Sequence, residues 1–570
     1  MSRPEPSSRA ITRRQFVHAV LAGSMLPRTG REPLAQAARQ QGSPPSNQSS
    51  QGQLGTGPEA PRVRPDTTPK SSGTVTVATP GTLQSAIDSA RPGDRILCDP
   101  SRAWPGHWRI NRPAGQVPIT IASSRPNQPV RFIAVAPQPV FLALGPVGGV
   151  QWEHVEVTLD PKVNYSGGQS LVQLGEAEPF GQHPRGFGFR NSHLHGNPGQ
   201  DVRRAILTNC GDFFFLDGRI DEIHQRGSDS QAICGWNAAE GHLIRNSFLE
   251  AATENIMYGG SGNTGGNMNP RDITIERVTL SKRKEWDPSS PTFAGIRWNI
   301  KNHLEFKNAQ RVVVNGLRCV NCFTDGQTGR SIVITPRDVP GHPWIVAQDI
   351  DIANALISDV NSAFVLLGHD DAAGASQPAA TATQRVRFRN CLFRINPGGK
   401  CFEISADNYD VELDRLTWVA TGPLYATVIM GGTITRLKAT NLVTAHGSAG
   451  WTGAQGEGNR VRKLFPTPVA WNQVLEVGAG AQPISDGASN DFLPGALEAV
   501  QDPTAVFVNL SKADYHLKPG YAGRGADLDG ILAAIPALDT SAAAGSRQMA
   551  EHRHILPVTS LSQNPRPGNR

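Results

Sequence analysis

Phe187-Gly188-Phe189-Arg190-Asn191-Ser192-His193-Leu194 and Leu243-Ile244-Arg245-Asn246-Ser247-Phe248-Leu249 are two copies of one short pattern. Alternating residues lead into an Asn, and a second apolar stretch follows directly. The pattern returns as Val312-Val313-Val314-Asn315-Gly316-Leu317 and Val386-Arg387-Phe388-Arg389-Asn390-Cys391-Leu392-Phe393, and Phe214-Phe215-Leu216-Asp217-Gly218-Arg219-Ile220 lies between the first two. The anchors Asn191, Gly218 and Asn246 are 27 and 28 residues apart; Arg277, Asn315, Asn354, Asn390, Asp414 and Asn441 continue the series less evenly. A further alternating stretch precedes many copies, as in Ala205-Ile206-Leu207-Thr208, Asn255-Ile256-Met257-Tyr258, Leu304-Glu305-Phe306-Lys307, Ile332-Val333-Ile334-Thr335 and Cys401-Phe402-Glu403-Ile404.

Two or three short strands in a unit of about 25 residues, repeated about nine times, predict a parallel β-helix. One turn cannot bury its own apolar side, whereas turns stacked about 4.8 Å apart share one continuous core. An Asn at each bend suits such a stack, because its side chain can bond to the turns above and below. A β-sandwich or propeller would need paired hairpin turns between these strands, and the sequence lacks them. Composition agrees: 59 Gly and 44 Pro in 570 residues are nearly a fifth of the chain, against about 12% on average. No apolar run reaches the ~18 residues of a membrane-spanning helix.

The net charge of +6 is confined to the first 70 residues, which hold ten Arg or Lys and four acids. The rest is balanced, which argues against a nucleic-acid partner. Thr12-Arg13-Arg14-Gln15-Phe16-Val17, a weakly apolar stretch to Leu26, and Ala35-Gln36-Ala37 resemble in order a twin-arginine export leader and its cleavage site. We therefore expect a leader over 1–37, a solvated linker over 38–72, a β-helix over 73–530 and a tail over 531–570, in a monomer exported to the periplasm or beyond. The seven Cys are an odd number, so at least one is free, and most fall in apolar strand-like runs where a buried thiol is the common outcome.

The stretch from Val75-Thr76-Val77 through Leu83-Gln84-Ser85-Ala86-Ile87-Asp88-Ser89-Ala90 to Arg91-Pro92-Gly93-Asp94-Arg95-Ile96 resembles the N-terminal cap of the right-handed parallel β-helix proteins typified by pectate lyase. Pro118-Ile119-Thr120-Ile121 is similar to the strand that follows, and Asp514-Tyr515-His516-Leu517-Lys518-Pro519-Gly520 to the terminal segment. The resemblance implies an all-β solenoid with a short capping helix over its open end. It implies a polysaccharide partner, but no single reaction, since this fold hosts lyases, hydrolases, epimerases and adhesins.

Enzymes of that family place substrate along the outside of one sheet. Alternation sends Leu304 and Phe306 inward and Glu305 and Lys307 outward; Arg337 and Glu403 follow in later turns, and Glu254 and Asn255 come one turn earlier. An excursion over Ser281–Asn302 interleaves Trp286, Arg297, Trp298 and Lys301, and Asp325-Gly326-Gln327 forms a nearby turn. Arg and Lys suit uronate carboxylates and indole faces suit sugar rings, although the same loop reads equally well as a wall packed on the helix. By analogy with the family's uronate lyases, Lys307 is the expected base, Arg337 the neutraliser or acid, and Glu305, Glu254 and Asn255 orienters or calcium ligands. Trp286, Arg297, Trp298, Lys301, Asp325, Gln327 and Glu403 are the expected substrate contacts. A glycoside hydrolase pairing Glu305 with Glu403 or Asp325 is the rival reaction, and a non-catalytic carbohydrate-binding or adhesive surface is the rival class. His193-x-His195 and Gly368-His369-Asp370-Asp371 are weaker candidates, the first more often structural than metal-binding, the second only a fragment of a polygalacturonase pattern.

Overall fold

Three strands make one turn, and each turn repeats the last in register. The computed structural model describes residues 57–536 apart from 70–72, 166–168, 261–267, 338–341, 370–380, 454–469, 482–496 and positions 116, 126, 180, 327 and 433. The expected leader, Gln327 and residues 537–570 lie outside the described residues.

The first sheet stacks Arg95–Cys98, Ile119–Ser123, Gly148–Glu153, Arg185–Arg190 and Gly211–Leu216, all parallel. The second stacks Val130–Ala134, Val155–Leu159, His193–His195 and Arg219–Ile223, and the third Phe141–Ala143, Ser170–Leu174, Arg204–Thr208, Gln231–Gly235 and Glu254–Tyr258. From Glu240–Ala251 onward the first- and second-sheet strands run on through the bend as single long strands. The ladder continues to Ala470–Val477 and Leu497–Val500. Crossovers between parallel strands are right-handed, and the chain is a right-handed parallel β-helix.

Inward positions form one core along the axis. In the second sheet it reads Phe132, Val157, Leu194, Ile220, Leu249, Leu280, Cys319, Ile357, Phe393 and Trp418, all buried and in register. The helix Leu83–Ser89 caps the end with Leu83 and Ile87 buried, as the resemblance implied. All seven Cys are free and buried.

The bend between the first two sheets needs one left-handed residue per turn, a conformation that Asn tolerates better than most side chains. Asn191, Asn246, Asn354, Asn390 and Asn441 have φ of 49°, 51°, 52°, 52° and 56°. Asn390 Nδ2 donates to Asn354 Oδ1 (2.7 Å), and Asn354 Nδ2 donates to Asn315 Oδ1 (2.8 Å). At three anchors the left-handed residue is a neighbour of the expected one: Asp217 rather than Gly218, Gly316 rather than Asn315, Arg415 rather than Asp414.

Two segments outside the turns lie along the stack. Residues 57–69, within the expected linker, run against the first sheet: the Arg62 amide donates to Asp272 (2.8 Å), Arg64 pairs with Glu276 (2.9 Å), and Arg190 donates to the Thr67 carbonyl (2.6 Å). After Val500 the chain leaves the ladder. Phe507–Asn509 pairs antiparallel with Asp514–Leu517, and the helix Leu528–Ala534 follows, crossing the boundary expected at 530. Val506, Phe507, Tyr515, Leu528, Ile531 and Ile535 bury themselves on Leu356, Leu392, Val419, Val443, Leu475 and Val477 of the second sheet.

Asn354→Val should cost about 2–3 kcal/mol, combining left-handed strain with two lost hydrogen bonds. Asn354→Gly keeps the bend and should cost about half as much. Urea unfolding of both variants reads the difference.

Candidate functional site

The third sheet brings most of the sequence-predicted residues together. Met257, Glu305, Val333, Val365 and Glu403 are register partners turn by turn. Lys307 Nζ lies 3.1 Å from Glu305 Oε2. Lys301 Nζ lies 2.7 Å from Asp229 and 3.8 Å from Glu254, whose other oxygen accepts from Gln231 Nε2 at 2.8 Å. Arg337 joins through its backbone, donating its amide to the Lys307 carbonyl (3.0 Å). Asp229, not foreseen from sequence, completes the group. Glu403 stands apart, three turns beyond Glu305, held by Arg330 (2.9 and 3.1 Å) and Lys400 (2.8 Å). Asp325 faces Arg297 at 3.5 Å, so neither expected hydrolase partner of Glu305 is free.

This group is closed. Glu254 is fully buried and Glu305 is 5% exposed. Burial and the nearby Asp229 carboxylate push Glu254 up to about 8. Burial opposes the Lys307 charge, but Glu305, Glu254 and Asp229 outweigh it and hold the ammonium above its ordinary range. A lysine held charged suits a carboxylate partner or an acid, not the base that the sequence reading assigned to it. The donors do not suit calcium either. Asn255 Nδ2 is spent on the Leu249 and Ser281 carbonyls (both 2.8 Å), its oxygen accepts from Lys282, and ammonium groups surround Glu254. Lys282 itself is buried, donating to the carbonyls of Ala251, Ala252 and Thr253 at 2.8–3.0 Å.

The excursion after Ser281 is a wall. Trp286 and Trp298 are buried with Ala252, Ile300 and Phe323, and His224 stacks on Trp298 with ring centres 3.8 Å apart. Their indole faces are not open to a sugar, contrary to the substrate-contact expectation. Arg283 anchors the wall to Glu222 (2.6 Å) and Glu250 (2.7 Å).

Beside this wall, the outer face of the second sheet carries an open polar row. Arg131, Glu156, His193, Arg219 and Phe248 are register partners in successive turns. His193 is partly exposed, its side chain at 37%. Its Nε2 faces Asp221 Oδ1 at 2.9 Å; the carboxylate accepts that N–H, leaving Nδ1 as the lone-pair nitrogen. Burial opposes the Asp221 charge, but His193 and Arg219 outweigh it and hold the carboxyl well below the usual range. Arg219 Nε donates to Asp221 (2.5 Å), and the guanidinium lies over the Phe248 ring. His195 stacks on His193, with Nε2 on Glu156 (3.1 Å) and Nδ1 on the Gly196 carbonyl (2.7 Å). Burial lowers its basicity, but these two acceptors reverse that and favour the imidazolium. Arg131 Nε lies 2.9 Å from Glu156.

No family model matches the chain, and no curated protein matches it. Among solved structures, the pectate lyase Pel9A is similar with 11% identity and a TM-score of 0.36, over 62% of this chain and 78% of that one. The catalytic domain of a GH87 alpha-1,3-glucanase in complex with nigerose has 11% identity and a TM-score of 0.41, over 73% and 70%. An alginate lyase from Paenibacillus sp. str. FPU-7 has 15% identity and a TM-score of 0.32, over 65% and 97%. The strand register described above, rather than these overlaps, establishes the fold. Among the described residues no helix is long and apolar enough to cross a membrane.

His193-x-His195 reads from the sequence as a possible metal pair, with a structural role the commoner outcome. Both rings are instead partnered by carboxylates, and among the described residues no group of three His, Cys, Asp or Glu suits a metal ion. Asp221, Arg219 and Glu156 went unread because Arg219 and Asp221 come from the turn after His193 and Glu156 from the turn before it.

Glu254 offers a test of the closed group. Between about pH 5 and pH 8 it keeps a proton in the folded chain that it releases on unfolding, so its contribution to stability falls as pH rises. Glu254→Gln stays neutral throughout. Urea unfolding should show the variant gaining about 4 kcal/mol on the parent between pH 5 and pH 8.5; a constant difference would place an ionised Glu254 in the fold at neutral pH.

Proposed function

We propose that the protein cleaves an acidic polysaccharide by β-elimination on the outer face of the second sheet. The observation that carries this reading is the His193–Asp221–Arg219 constellation. It pairs a partly exposed imidazole, fixed in one tautomer, with a guanidinium one turn away. Arg219, with Arg131 three turns before it on the other side of His193, supports recognition of uronate carboxylates, because guanidinium matches their planar geometry. Neutralising the carboxylate acidifies the adjacent C–H. His193 Nδ1 takes that proton, the electron pair forms the C=C bond, and the glycosidic C–O bond breaks with its electrons going to the leaving oxygen. That oxygen takes a proton from solvent water and becomes the new hydroxyl, and the His193 imidazolium returns its proton to solvent. Asp221 stabilises the imidazolium formed midway, as a buried carboxylate beside a catalytic His does.

The discriminating experiment offers polygalacturonate, alginate and glycosaminoglycans to the whole protein and follows both the ultraviolet absorbance of unsaturated uronate and new reducing ends. β-Elimination raises both. His193→Gln should lower the rate by about 100-fold or more, and Arg219→Lys should raise KM more than it lowers kcat. A rate that survives His193→Gln but falls with Lys307→Ala would move the reaction to the third sheet. Reducing ends without absorbance would establish hydrolysis, and neither signal on any polymer would favour a binding role.

A further inference from the structure

One outer row of the second sheet is open at one end and shut at the other. It runs Arg131, Glu156, His193, Arg219, Phe248 and Thr279, one residue per turn. The next position is Arg318, where the C-terminal arm comes down. Arg318 Nη2 donates to the Pro536 carbonyl (3.3 Å), and Arg277 Nη1 donates to the carbonyls of Ala533 (3.3 Å) and Ala534 (2.9 Å). The seat is close: a Cβ at Gly316 would stand 2.4 Å from the Ala534 oxygen. Beyond that point the row turns apolar at Leu356 and Leu392, beneath Leu528, Ile531 and Ile535.

We infer that the protein works from a chain end, with the C-terminal arm as the wall that stops the polymer. This rests on the β-elimination reading. The groups that recognise charge are spaced along the solenoid axis, from Arg131 to Arg219 across three turn intervals, about 14 Å at the inter-strand spacing. The loop carrying Trp298 closes the side on which His195 and Asp221 lie, stacking on His224 and lying under Arg226. A polymer therefore lies along the axis. Between His193 and the covered Arg318 only Arg219 and Phe248 keep exposed surface, and Thr279 is buried, so the piece between the broken bond and the wall is short and of fixed length.

The test is a time course of product size with the whole protein on whichever polyuronate it cleaves, read by size-exclusion chromatography and viscosity. The wall predicts one narrow class of short unsaturated products from the earliest points, with viscosity falling slowly for each bond broken. A broad ladder of sizes with an early collapse of viscosity would overturn the inference while leaving β-elimination intact. Absence of unsaturated products on every polyuronate would overturn both. The double variant Arg277→Ala, Arg318→Ala unties the end of the arm without touching His193, Asp221 or Arg219. With its melting curve still cooperative, it should release products of several sizes; an unchanged narrow class would show that the arm does not set the length.

Discussion

Each turn of this chain hydrogen-bonds almost entirely to the turns before and after it. A strand such as His193–His195 has no partner within its own turn; it bonds to Val155–Leu159 on one side and Arg219–Ile223 on the other. A buried backbone group left unpaired costs free energy comparable to a lost hydrogen bond, so every turn must hold register with its neighbours whatever its loops do. The loops vary freely as a result. The excursion between Ser281 and Asn302 inserts a long segment, yet Val278 and Leu280 still face Leu317 and Cys319.

Register turns single positions into rows. The residue two places after each left-handed bend falls on the outer face of the second sheet, so Asn191, Asp217, Asn246 and Asn354 project His193, Arg219, Phe248 and Leu356 onto one line. The inward row is apolar throughout because it forms the core. The outward row is free to change character, and it passes from charged to apolar between Arg318 and Leu356.

The solenoid, its cap and its inward residues were legible because they follow from alternation and a recurring bend, which are local. The bend was misplaced by one residue at Gly218, Asn315 and Asp414, where two adjacent small or polar residues share the turn and the pattern cannot separate them. The third-sheet group was legible in membership, since Glu305 and Lys307 alternate with Leu304 and Phe306, but not in state. Their pairing with each other, and the placing of Asp229 beside Lys301, depend on side chains meeting from separate turns. The second-sheet row was present in the sequence as a fixed offset from the bend. Apart from Phe248, each of its members alone is an ordinary polar residue near the start of a strand, and only the stacked register makes them neighbours.

The two polar rows also differ in what they cost. Taking charges out of water costs several kcal/mol per ion, and pairing only partly returns it. Glu254, Glu305 and Lys307 bear that cost with little exposed surface, and Glu254 relieves it by holding a proton. Such a group fixes the local geometry of the turns that supply it. His193, Arg219 and Arg131 keep part of their surface in water, so less of their charge is uncompensated in the free protein. Under the β-elimination proposal they give up that water to the substrate carboxylate, which supplies in the bound state the interaction that the closed group has already made internally.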